Sequence, residues 1–187
     1  EKMHIGGAVT HRHLERSAEV AEHLPLLQHA TELVANVRVR NVGTLGGSLC
    51  FGDPHSDPAP VLLVYDTKVK IGKHGGDRTM GLETFFMGAY ETALEPDELL
   101  VELEVAPLPP GMGSAYLRAA RFERPSLGVA VAAAQHNGRL TDVRLAVSCV
   151  GPVPMRLRQL ESRLQGATLA DGQQILHQAQ RHYGEVL

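Results

Sequence analysis

Residues 41–52 read NVGTLGGSLCFG, with four glycines, two hydroxyl side chains and no charge, and residues 53–57 follow as DPHSD. Glycine lets one backbone approach another, or a ligand, more closely than any side chain allows. Successive main-chain N–H groups freed in such a run form anion-binding concavities. The stretch therefore predicts a phosphate-holding loop built from main-chain donors plus the hydroxyls of Thr44 and Ser48. Known phosphate loops do not match it. No lysine follows Gly47, which excludes the P-loop, and Gly43, Gly46 and Gly47 are wrongly spaced for a dinucleotide fingerprint. Gly46-Gly47-Ser48-Leu49-Cys50 lacks the last glycine of a nucleophile elbow, so Ser48 is a poor hydrolase nucleophile. From the residues alone, a ligand loop and a structural turn over a core remain alternatives.

Arg40, Asn41, Gly43, Thr44, Gly46, Gly47, Ser48, Leu49, Asp53, Pro54 and Asp57 together make a longer pattern. It resembles the second flavin-binding loop in the FAD-binding subunit of molybdenum hydroxylases, the xanthine dehydrogenase, carbon monoxide dehydrogenase and aldehyde oxidase family. The resemblance continues through GLETFFMGAYETALEPDELLVELEVAP and into a segment similar to the family's C-terminal domain, so it covers nearly the whole chain. It implies an α+β fold. The expected parts are the second lobe of a two-lobe, p-cresol methylhydroxylase-like FAD-binding domain at residues 1–106 and the flavoprotein's C-terminal α/β-sandwich domain at 114–187.

The resemblance further implies FAD contacts at Gly43, Thr44, Leu45, Gly46, Gly47, Ser48, Asp57 and the backbone near Leu100. Asp57 would serve as a hydrogen-bond acceptor near the flavin ribose or phosphates. Around Arg121 the sequence departs from the family's R-R and D-F/Y-A pattern, so no contact is carried over there and Arg118 is only noted. The family also carries an earlier subdomain with a separate Gly-Gly loop. Gly6-Gly7, followed by Ala8 and Val9, reads instead as strand, so the expectation is a piece of a longer flavoprotein, truncated at both ends.

The 187-residue length suits one good domain or two small ones, and the 43 % apolar and 21 % charged content is that of a globular protein. A net charge of −3 gives no case for nucleic acid or an anionic membrane. No apolar run approaches a membrane span and no signal peptide is visible, so a cytoplasmic protein is expected. Cys50 and Cys149 are too few and too far apart for a disulfide scaffold, a zinc ribbon or an iron–sulfur cluster. The resemblance therefore implies that the clusters and the molybdenum cofactor sit on partner subunits of a hetero-oligomer. In that family, electrons pass from the molybdenum subunit through iron–sulfur clusters to FAD, then to NAD or another acceptor. No catalytic acid–base pair or triad is apparent, and no metal site is expected. Asp53, His55 and Asp57 fail the EF-hand pattern because Pro58 and Val64 fall where Gly and Glu are needed. Two other functions are kept: a scaffold or interaction piece that does not hold FAD alone, and a small nucleotide-binding module unrelated to flavin.

Along the chain, Thr10 and Ser17 read as helix N-caps, and Pro25 opens a helix with an apolar stripe of Leu26, Leu27, Ala30, Leu33 and Val34. His11 and His13 read as exposed helix histidines. Asp57-Pro58 reads as N-cap and first turn of the next helix. KVKIG and RTMGL form a hairpin, 83–86 one helical turn burying Phe85 and Phe86, and 98–105 a strand. Residues 107–113 (PLPPGMG) read as a boundary. SAYLRAARF, SLGVAVAAAQH and RLTDVRLAVSCV follow as strands, with Asn137-Gly138 as a two-residue turn. Pro154 is expected to open a helix with Arg156, Arg158 and Arg163 on a solvated face, and a last helix covers ADGQQILHQAQRHY.

Overall fold

The computed structural model describes residues 2–121 and 123–184, with side chains through residue 179. Phe122, expected to close a strand, lies outside the described residues. The chain opens with β1 (Met3–Gly6) and a helical run: α1 (His11–Arg16), α2 (Ala18–His23), α3 (Pro25–Glu32), α4 (Val37–Val42), α5 (Leu45–Phe51) and α6 (Pro58–Val64). Strands β2 (Lys68–Lys73) and β3 (Gly76–Gly81) follow, then a 3-10 turn (Leu82–Thr84), β4 (Phe86–Gly88), β5 (Glu91–Thr92) and β6 (Leu99–Val105). The second half contains β7 (Gly113–Ala120), β8 (Pro125–His136), β9 (Arg139–Ser148), β10 (Met155–Arg156), α7 (Arg158–Leu164) and α8 (Leu169–Gly184).

Local chemistry sets most of these boundaries. The Thr10 hydroxyl accepts from the His13 N–H at 3.2 Å and that of Ser17 from Val20 N–H at 3.2 Å, capping α1 and α2 as their sequences predict. Pro25 sits at the first turn of α3, whose Leu26, Leu27 and Ala30 are buried. Asn137 and Gly138, with φ of 49° and 76°, turn β8 into β9 by the tight hairpin that their residue types favour.

Two antiparallel four-stranded sheets result, in the orders β1-β6-β2-β3 and β10-β9-β8-β7. The first has one buried face, from Ile5, Val69, Ile71, Leu103 and Val105. Its opposite face carries pairs such as Lys2–Glu104 and His4–Glu102. The second sheet is covered on both faces. Ala130, Ala132, Ala146 and Tyr116 join the main core, and β8 and β9 pack on α6. The alternate residues Val129, Val131, Val143 and Leu145 pack with Leu160, Leu164 and Ile175 of α7 and α8. The proline-rich stretch at 107–113 carries no helix and enters strand only at Gly113, yet the core runs continuously past it.

Several expectations are corrected. Pro154 does not open a helix: Met155 and Arg156 instead pair with Val147 and Ala146 as an edge strand, and the helix begins at Arg158. Arg156 is not solvated. It is buried, donates to Glu161 and Asp66, and reaches Leu63 O at 3.3 Å, near the C-terminal end of α6. β1 ends at Gly6, so Gly7 and Ala8 form a turn rather than continuing the strand. The helical turn expected over 83–86 is the 3-10 turn Leu82–Thr84, and Phe85 and Phe86 are buried behind it.

Candidate functional site

The glycine stretch is a helix start rather than an open loop. Thr44 and Thr10 face each other across an isolated antiparallel bridge, with His11 N–H donating to Gly43 O at 3.0 Å and Leu45 N–H to Val9 O at 2.9 Å. Both threonines cap short helices from this one point. The Thr44 hydroxyl accepts from Gly47 N–H at 3.0 Å, and Thr44 O accepts from Ser48 N–H at 2.9 Å. Gly46 N–H donates to Gly7 O at 3.0 Å, and Gly7 N–H to Val101 O at 2.8 Å. The amides expected to be freed are thus bonded within the protein.

The glycines serve close approach instead. A Cβ on Gly46 would stand 2.5 Å from Gly7 O, and a Cβ on Gly7 would stand 2.3 Å from Leu100 O. Three backbones therefore meet where only hydrogen fits: the turn after β1, the start of α5 and the bulged stretch of β6. This contact brings Leu45, Gly46 and Leu100 to one corner. Gly7 is the member that sequence reasoning missed, and its signal was the Gly6-Gly7 pair read as strand. Gly47 is exposed on the outside of the corner, and Val42 (78 % exposed) and Phe51 (62 %) flank it as bare apolar surface.

His11 lies beneath the corner. It is 2 % exposed, contrary to its expected exposure, and its Nδ1 has no hydrogen-bond partner among the described residues. Burial first, and the Arg40 guanidinium second, lower its pKa to about 4, so the ring is neutral at ordinary pH. Arg40 itself donates to Glu15 Oε2 at 2.9 Å and to Val34 O at 2.9 Å, fixing α4.

A cleft of about 260 Å³ opens beside α5, lined by Ser48, Phe51, Asp53, His55, Asp57 and Arg124 among others. Asp57 is 4 % exposed. It occupies the N-cap position of α6 but makes no capping bond, and Ser56 Oγ accepts from Ala59 N–H at 3.3 Å in its place. Its carboxylate instead accepts from the Tyr116 hydroxyl at 2.7 Å and from Arg118 Nη1 at 3.1 Å. Burial raises the Asp57 pKa, and the Tyr116 and Arg118 donors oppose that rise. Arg124 Nη2 donates to Asp53 at 2.8 Å and to the Tyr90 hydroxyl at 2.8 Å. Tyr116, Arg118 and Arg124 lie 59 to 71 positions from their acidic partners, and no local pattern announces those pairings.

Among the described residues, no group of three metal-ligating side chains comes together. The cleft has Ser48 and Phe51 of α5 on one side and the oriented Asp57 carboxylate on the other. This is the character of a cofactor-holding protein.

Comparison with known proteins defines the class. Residues 1–108 match the family described as "FAD binding domain in molybdopterin dehydrogenase". The chain belongs to that family. It is 33 % identical over 171 residues to a xanthine dehydrogenase FAD-binding subunit of Escherichia coli O157:H7, covering 89 % of this chain and 59 % of that one. Its fold superposes on a carbon monoxide dehydrogenase chain from Hydrogenophaga pseudoflava with a TM-score of 0.87 at 32 % identity, covering 90 % of this chain and 59 % of that chain. Quinoline 2-oxidoreductase from Pseudomonas putida 86 gives 0.84 at 27 % identity, with coverage of 90 % and 59 %. The chain thus spans a little under three-fifths of the length of these relatives.

The residues fit a flavin nucleotide in two respects. Gly47 at the start of α5 is exposed and carries no side chain, and Ser48 and Asp57 line one cleft beside that helix. No helix is long and apolar enough to cross a membrane among the described residues.

Proposed function

We propose that this chain is the FAD-holding, electron-transferring part of a molybdenum-containing hydroxylase or dehydrogenase in the cytoplasm. The observation that carries the reading is the corner itself. Within the family-matched residues, Gly46, in the run Gly43, Thr44, Leu45, Gly46, Gly47 and Ser48, packs on Gly7, which lies against Leu100, and Ser48 and Asp57 line the adjoining cleft. A bound flavin supplies redox chemistry that joins single-electron donors to a two-electron acceptor, while protein supplies position and electrostatics.

In this reading, the side-chain-free Gly47 gives the phosphates room beside the Thr44 and Ser48 hydroxyls, and Asp57 accepts from the ribose side. Leu100 backs the flavin through its main chain. Molybdenum cofactor and iron–sulfur clusters reside on a large and a small partner subunit, and NAD or another acceptor takes the electrons. Residues 1–106 form the flavin-binding unit and 114–187 the C-terminal unit, without nucleic-acid or membrane partners.

Titration of the purified chain with FAD, followed by flavin fluorescence, tests this. Quenching that saturates, and that is lost in Gly47→Asp, is the expected result. Equal quenching in both proteins would sink the assigned corner. No quenching in either favours the second reading, a scaffold piece that does not hold FAD alone, for which the internally bonded amides speak.

A further inference from the structure

Residues 53–57 are gripped by a part of the chain that lies beyond the family-matched residues. Tyr116 and Arg118 of β7 take one carboxylate oxygen of Asp57 each. At the other end Arg124 holds Asp53, His55 Nδ1 lies 2.8 Å from Pro125 O, and Cys149 N–H donates to Pro54 O at 2.9 Å. The Tyr116 ring is 2 % exposed. Its hydroxyl is packed so closely on β8 that a Cβ at Gly128 would lie 2.8 Å from it. A larger residue at 128 would displace that oxygen and, with it, the donor to Asp57. An ionised carboxylate has about four acceptor positions. Two are used here, and the group lines the cleft.

We propose that Tyr116 and Arg118 are positioning residues that fix the Asp57 carboxylate so that its remaining lone pairs accept hydrogen bonds from hydroxyls of the flavin nucleotide. The proposal rests on the flavin reading above. It makes the second sheet part of the cofactor site, although the family match ends at residue 108. The other titratable or charged groups around this carboxylate are Cys149 at the end of β9, Asp53 and His55 on its own segment, and Glu123 and Arg124 in the β7–β8 turn. Burial, followed by the Asp57 charge, raises the Tyr116 phenol above its ordinary range, so it stays a donor wherever the carboxylate titrates.

Tyr116→Phe removes one donor and keeps the ring. In this variant the carboxyl NMR titration of Asp57 is expected to move to higher pH. FAD affinity is expected to fall about tenfold, the scale of one hydrogen bond to a charged group, and binding is expected to weaken on acidification from a higher pH than in wild type. Arg118→Lys keeps the charge and should fall between the two. A Tyr116→Phe protein with wild-type titration, affinity and pH profile overturns the proposal. Weaker binding with an unchanged pH profile also overturns it, because that marks packing alone. Should Tyr116→Phe fail to fold, Arg118→Gln carries the same three readouts. If wild type takes up no FAD, the flavin reading itself fails. The Asp57 titration then decides alone whether Tyr116 sets the carboxylate: a shift upholds that half, and no shift overturns it.

Discussion

The glycine corner at the start of α5 and the acidic wall of the cleft beside it are held by opposite means. The glycine corner is closed by its own neighbours and by the first eleven residues, through main-chain bonds from His11, Leu45 and Gly46 and one threonine cap. The acidic segment at 53–57 has little local structure and is held by side chains of the second sheet. The corner is thus a backbone device whose failure mode is steric. The acidic wall is an electrostatic device whose failure mode is a misdirected or neutralised carboxylate.

The sharpest way to break this contrast is Gly46→Ala. Its new Cβ meets backbone rather than a flexible side chain, so relief requires moving Gly7 and, behind it, Leu100. A loss of about 3 kcal/mol in urea-unfolding stability is expected, the upper end for forced overpacking. Next is acid. His11 titrates at about 4 in the folded protein against 6.5 for the free side chain, so its contribution is complete above pH 6.5 and is lost as pH falls toward 4. Stability measured by urea midpoint should drop by roughly 3 kcal/mol across that window, and His11→Leu should flatten this slope. Thr44→Ala removes the cap of α5 and should cost about 1 kcal/mol in thermal unfolding. The smallest effect belongs to Arg124→Ala, whose side chain is 56 % exposed. A double-mutant cycle with Asp53→Asn should return about 0.5 kcal/mol or less for this pair. A larger value would mean that the acidic wall is stapled at both ends with similar strength.

The same contrast explains what was legible in the sequence. Caps, turns and hairpins declare themselves within four residues, so Thr10, Ser17, Pro25 and Asn137-Gly138 could be placed from the sequence alone. The motif from Arg40 to Asp57 pointed to the right family because it is contiguous. Its physical meaning was harder to read. Glycines that accommodate a third backbone look the same in sequence as glycines that free amides for a ligand. Whether Gly46 serves Gly7 is decided by a partner 39 positions away, the difference of the two numbers. His11 read as exposed because helix periodicity does not show that Gly43 and Arg40 close over it. Asp57 read as a cap because an Asp-Pro pair is good cap chemistry, and its actual partners lie in another sheet.

The fully buried Ala130, Ala132 and Ala146 set the distance between those partners and the cleft. Between the second sheet and α6 they act as a shim one methyl group thick. Any larger residue there would lift the helix that begins beside Asp57 and lengthen the reach from Tyr116, whose cross-strand partner is Ala130. The carboxylate is therefore aimed by the thickness of a neighbouring layer as well as by its hydrogen bonds, and small volume changes at these alanines would retune the pocket while keeping every polar residue.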